Sequence, residues 1–526
     1  MLTSSRLVRL SIGALLVTQV TSACASGAVG SVVKTNASVQ TTAGLVRGTA
    51  GSRPGVRAYL GVPYAAAPVG ELRWRAPREP NEWENVRSAE KFSASCMQGP
   101  NTPFGPWTKE FLLLGSVSED CLYLNVWTAA RLGERRPVLV YVYGGGFSSG
   151  SGDVPVYDGA PLAEKGLVVV NMNYRVGALG FLAYPELTAE SGASGNYGLL
   201  DQVAALEWVR DNIAAFGGDP QRITVAGQSA GAMSVFLLTA SPMAKGLFHR
   251  AVIESGPGGR AAMGVATGRS VVRPRADAEK DGMTYAAAVG AKNLAELRKL
   301  SASKFVGGGG GVRFGPVIDG RFLVENPAET FAAGRQNDVP TITGLNADEG
   351  SASPTYGKVT AEQFRKQITE RYGNRASQFL AAYPAGTDDE ARRSAVEGSR
   401  DAGVAGVQLL LTERARTART PAYAYYFDHP IPWPERPEFG AFHTSEVPYV
   451  FGTLDKLQRP WTDVDRRLSA SMMSYWITFA ATGDPNGAGL PRWPAFSLAQ
   501  PTLLRIGDRI EPKEPIAPQR LELLTR

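Results

Sequence analysis

Between Pro137 and Gly256 the chain alternates short apolar, β-branched runs with stretches of helical period. That alternation restricts the fold more than any other feature. Pro137–Tyr143, Gly166–Tyr174, Arg222–Ala226 and Ala251–Gly256 read as strands, and Leu199–Phe216 reads as a helix with Leu200, Val203, Leu206 and Val209 on one face. Apolar strands separated by helices imply an α/β fold with a largely parallel sheet covered on both sides. Thr341–Gly344 and Ala422–Phe427 add strands, and Leu468–Thr482 adds an amphipathic helix. Arg260–Lys304 is charged and helical in composition, and Gly307–Gly311 reads as a flexible connector. A length of 526 residues would allow three domains, but unbroken alternation without a repeat or linker predicts one domain with insertions.

Within that pattern, Gly227-Gln228-Ser229-Ala230-Gly231 follows a strand and opens a helix. A G-x-S-x-G in this setting is a nucleophile elbow, in which flanking glycines leave room for a strained turn and the serine stands clear. A serine hydroxyl needs a base to take its proton, and the chain has three histidines. Elbow enzymes run serine, acid, histidine along the chain, so His249 follows Ser229 too closely. His443 lies in the turn-like Gly440–Glu446 segment, whereas His429 abuts Pro430 after a strand and reads as structural or surface. His443 is the expected base. Asn346-Ala347-Asp348-Glu349-Gly350 follows the Thr341–Gly344 strand, and either Asp348 or Glu349 would serve as the orienting acid. Gly144-Gly145-Gly146 after a strand, with Ala230 after the nucleophile, supplies unhindered amides for an oxyanion.

The N-terminus has the order of a secretory signal: Arg6 and Arg9, an apolar Leu10–Val20, then small residues through Ala25. A stretch of eleven residues is too short to span a bilayer, so residues 1–25 are expected to be removed on export to the periplasm or medium. Two readings of Cys24 stay open. Val20–Cys24 loosely resembles a lipobox, which would place a lipid anchor on Cys24 and make the chain a lipoprotein. Ala23-Cys24-Ala25 also suits ordinary cleavage, favoured because Thr21 is a poor lipobox residue. Export leaves Cys96 and Cys121 as a pair in an oxidising compartment. A bridge between them would stabilise the fold by roughly 3–4 kcal/mol through chain entropy.

A net charge of +6 over this length, without a basic run carrying aromatics, argues against a nucleic-acid partner. Three histidines and three cysteines do not make a conventional zinc site, and no H-E-x-x-H, P-loop or opening G-x-G-x-x-G occurs. No metal or cofactor is expected.

Ordered motifs run through nearly the whole mature chain: Leu60–Ala65, Pro68-Val69-Gly70, Glu119–Val126, Tyr143–Phe147, Asn196–Gln202, Phe216–Pro220, Gly227–Gly231, Asp348-Glu349-Gly350 and Thr482–Pro485. On these residues the chain resembles the type B carboxylesterases, which include cholinesterases, bacterial para-nitrobenzyl esterases and some lipases. The resemblance implies an α/β-hydrolase fold: a mostly parallel central sheet flanked by helices, with large loop insertions forming an active-site gorge. It implies one such domain over residues 26–526 and a small-molecule ester as substrate. By resemblance Glu349 rather than Asp348 is the acid, Gly145, Gly146 and Ala230 form the oxyanion hole, and Cys96–Cys121 is the family's first disulfide. Trp107 and Phe111 in that disulfide loop are candidates for the gorge mouth. Gln228 stands where many members carry glutamate, which turns the expectation from cationic toward neutral esters. The rivals are a catalytically inactive binding module, which usually lacks the serine, and a lipase, amidase or acyl transferase of the same fold.

Overall fold

The computed structural model describes residues 38–100, 102–131, 133–256, 272–307 and 311–525. The signal segment, Cys24 and Gly308–Gly310 of the glycine run lie outside them. Eleven strands form the central sheet: β1 (Thr49–Ala50), β2 (Arg57–Pro63), β3 (Tyr123–Thr128), β4 (Arg136–Val142), β5 (Val168–Met172), β6 (Gly218–Gln228), β7 (Arg250–Glu254), β8 (Thr341–Asn346), β9 (Ala422–Phe427), β10 (Leu503–Ile506) and β11 (Ile510–Lys513). Their spatial order is β11-β10-β9-β8-β7-β6-β4-β5-β3-β2-β1.

The seven strands from β10 through β5 pair parallel, and the edges turn antiparallel where β11 joins β10 and where β3, β2 and β1 follow β5. Every residue of β5, β8 and β9 is buried, as two covered faces require. Helix α1 (Tyr197–Asn212) continues as a 3-10 turn to Phe216, and α2 (Ala230–Ala240) packs on β4, β6 and β7. The 28-residue α3 (Asp388–Ala415) starts at a capping box of Thr387 and Glu390 and reaches β8, while α4 (Asp463–Thr482) crosses β4 and β6. This is a large mixed sheet with flanking helices, the α/β-hydrolase architecture.

Strand order decides where the chemistry sits. From β4 the chain passes to β5 on one side and then returns to β6 on the other. Loops leaving the carboxyl ends of β4 and β6 therefore diverge and open a crevice, the place where open α/β sheets bind ligands. Those loops are Gly144–Gly146 and the Ser229 turn.

Candidate active site

The β6–α2 turn has little freedom. Ser229 adopts φ 59° and ψ −122°, and its N–H donates to the Glu254 carbonyl at 2.9 Å. A Cβ on Gly231 would fall 1.9 Å from the Val142 carbonyl oxygen, and one on Gly227 would fall 2.6 Å from the Gly231 backbone. Only glycine lets β4 and the elbow approach this closely. A Cβ on Gly144 would sit 2.9 Å from that of Ser229, so the glycine loop runs directly beside the serine. Gly145 and Gly146 are exposed at positive φ, 111° and 62°. Ser148 and Ser149 both donate to the Gly145 carbonyl, which fixes the loop.

Four of the five described non-glycine residues with positive φ lie at the carboxyl end of the sheet: Phe147, Ser229, Ser255 and Thr444. Each such conformation costs of order 1–3 kcal/mol and persists only where the surroundings impose it.

Glu349 and His443 meet. The Glu349 carboxylate hydrogen-bonds His443 Nδ1, and its other oxygen accepts the Asn346 N–H at 2.8 Å. Asp348, its neighbour, is committed elsewhere: it accepts from Arg400 Nη2 at 2.7 Å, the Tyr356 hydroxyl at 3.0 Å and the Ala441 N–H at 3.1 Å. Asp348 thus ties the acid loop to the histidine loop while Glu349 faces the ring. Among the described residues the Ser229 hydroxyl makes no hydrogen bond. The group against the ring is instead the Gln228 amide, whose Nε2 lies 3.3 Å from His443 Nε2. Gln228 is fully buried, so its side chain lies inside the site.

Burial opposes charge on His443, but the Glu349 carboxylate outweighs it and Glu446 adds to it, leaving the pKa above the usual 6.5. Burial likewise opposes charge on Glu349, yet His443 and the Asn346 N–H hold its pKa below the ordinary value. Behind this pair lies a carboxyl that the sequence motifs do not announce. Glu446, three residues beyond His443, is fully buried and accepts from the Asn346 amide and from Ser255 Oγ at 3.3 Å. Burial and then the Glu349 charge push it up to about 7. Glu254 accepts Trp476 Nε1 at 2.7 Å and is raised further, by burial and by Glu446. Burial and mutual repulsion thus oppose a second and third negative charge in the interior.

The remaining sequence candidates separate cleanly. His429 is buried between Asp465 at 2.9 Å and Asp508 at 2.7 Å, away from Glu349. His249 precedes β7 at its amino end, accepting from the Ile223 N–H at 3.3 Å. Cys96 and Cys121 form a disulfide with Cα atoms 5.0 Å apart. Within its loop, Trp107 donates to Thr444 Oγ1 at 2.8 Å and stands edge-on to His443. Phe111 instead packs inward on Phe442, so the two aromatics proposed for the entrance divide into one at the site and one behind it. Among the described residues no His, Cys, Asp and Glu group is placed to hold a metal ion, and no helix is long and apolar enough to cross a membrane.

The carboxylesterase family profile matches residues 35–523. The chain belongs to that family. Relatives of the esterase include fumonisin B1 esterase of Sphingopyxis macrogoltabida, 38% identical over 87% of this chain and 84% of that one. Para-nitrobenzyl esterase of Bacillus subtilis is 34% identical over 87% and 92%, and cholinesterase of Mus musculus is 34% identical over 89% and 83%. The protein is a carboxylic ester hydrolase, acting on small-molecule esters.

Proposed function

We propose that the esterase works through an acyl-enzyme on Ser229, with His443 as base and then acid and Glu349 orienting the ring. The observation that carries this reading is the Glu349–His443 hydrogen bond placed against Gln228, the residue before the strained Ser229. Ser229 Oγ bonds to the ester carbonyl carbon as its proton passes to His443 Nε2. The resulting oxyanion is held by the N–H groups of Gly145, Gly146 and Ala230, in a cleft where preset dipoles count for more than in water. Collapse breaks the bond to the alcohol oxygen, which takes the proton back from His443. Water then repeats the sequence and releases the acid. Catalytic hydrogen bonds are often long before substrate arrives and tighten in the complex, so the free Ser229 hydroxyl suits a resting site.

One domain over residues 26–526 carries this activity, exported after loss of residues 1–25. The Cys96–Cys121 bridge supports an oxidising destination, and Cys24 is either removed or lipidated. Neutral esters are cleaved in preference to cationic ones, because Gln228 keeps the shape of a glutamate inside the site without its charge.

A fluorophosphonate should label Ser229 and stop turnover of a para-nitrobenzyl ester, and Ser229→Ala should abolish both. An adduct mapped to any other residue overturns the assignment. A choline ester should be cleaved no faster than its uncharged 3,3-dimethylbutyl isostere; a tenfold choline preference would overturn the neutral-ester reading.

A further inference from the structure

Beside the glycine loop lies a cavity of about 630 Å3, within the size range of small-molecule sites. Gly146 and Ser148 form one end of it, and Tyr285, Phe305 and Phe314 supply apolar wall. Arg313 is the one charged residue among those described in its lining. Its carbonyl accepts from Arg273 Nη1 at 3.4 Å, but its guanidinium has no ion pair or hydrogen bond with any described group. Arg273 has its own carboxylate, Asp281 at 2.6 Å. Arg313 is exposed at the rim of this cavity, so its guanidinium is solvated and free to turn to a ligand, and its fork of donors matches a carboxylate.

We propose that Arg313 is a specificity-determining residue that selects esters bearing a carboxylate remote from the scissile bond, such as half-esters of dicarboxylic acids. This rests on the reading above, since an ester carbonyl held at the Gly146 N–H has a substituent beside the cavity that Arg313 lines. Gln228 and Arg313 then grade substrates together, anionic above neutral above cationic.

The test compares the mono-para-nitrophenyl ester of glutaric acid with its methyl-capped, uncharged form, following nitrophenol release. The native enzyme should favour the charged ester by about two- to fivefold in kcat/KM, as expected for an exposed charge pair. The gain should lie mainly in KM and shrink with added salt. Arg313→Gln should remove the preference and leave the capped ester unchanged, and Arg313→Lys should keep part of it. Should Arg313→Gln fail to fold, the lysine variant and the salt dependence decide. If the native enzyme cleaves both esters without preference, or Arg313→Gln keeps the ratio, the inference falls and the serine mechanism stands. If the native enzyme cleaves neither, the serine mechanism itself falls, and this inference with it.

Discussion

His443 and His429 both rest against carboxylates, yet their surroundings differ in every other respect. The His443 side chain keeps 23% of its surface exposed, touches Gln228 and Trp107, and precedes Thr444 at φ 87°. The His429 side chain keeps 9%, is gripped at both ring nitrogens by Asp465 and Asp508, and meets the edge of Tyr449. A carboxylate can stabilise an imidazolium in either place. What separates them is the second nitrogen: Asp465 occupies it in His429, whereas only the neutral Gln228 amide faces it in His443. A histidine with both nitrogens committed to acids is architecture; one with a nitrogen to spare can accept a proton.

The largest test of that contrast is activity. His443→Ala should lower kcat/KM by about 10⁴-fold or more, and Glu349→Gln by a comparable factor through the misdirected ring. His429→Ala should cost less than about tenfold; similar losses at the two histidines would erase the distinction. Stability should show the reverse order. His429→Ala removes a buried hydrogen bond to Asp465 and the ring contact with Tyr449 and should cost about 1–2 kcal/mol in denaturant unfolding, more than His443→Ala does. The smallest effect is on pH. With neutral His443 as the proposed base and its pKa raised, kcat/KM should climb with pH and reach half-maximum above 6.5. Glu446→Gln keeps the contacts to Asn346 and Ser255 but removes a charge that favours the imidazolium. The half-maximum should therefore fall, and an unmoved profile would mean that His443 does not sense Glu446.

Much of this arrangement was legible because its determinants are local. Gly227–Gly231 announces the elbow, since a strand, two glycines and a helix start are contiguous. The strands β4 to β9 were readable because burial on both faces makes their central residues mostly apolar. The antiparallel β2 and β3 gave no such run, and their pairing depends on partners about 60 to 71 residues apart. The 28-residue α3 escaped notice because Asp388–Arg400 is polar around most of its face. Asp348 and Glu349 were equivalent on their own chemistry. The choice between them rests on Arg400, Tyr356 and Ala441, which no spacing near residue 348 betrays, and only family resemblance pointed to Glu349. Glu446 belongs to no motif although it follows His443 by three residues, and Gln228 lies in the elbow motif, but its contact with the His443 ring exists only in three dimensions.

The 1.9 Å that would separate a Gly231 Cβ from the Val142 oxygen also bears on how such a protein diversifies. Val142 ends the strand that leads into Gly144–Gly146, so a side chain at Gly231 would push on the glycine loop as well as on the serine. These two parts can only be inherited together, as a single unit with almost no room for variation. The Phe305–Phe314 wall and Arg313 lie outside that lock. A lineage can therefore rewrite which ester it accepts through the cavity wall while leaving untouched the machinery that cuts it.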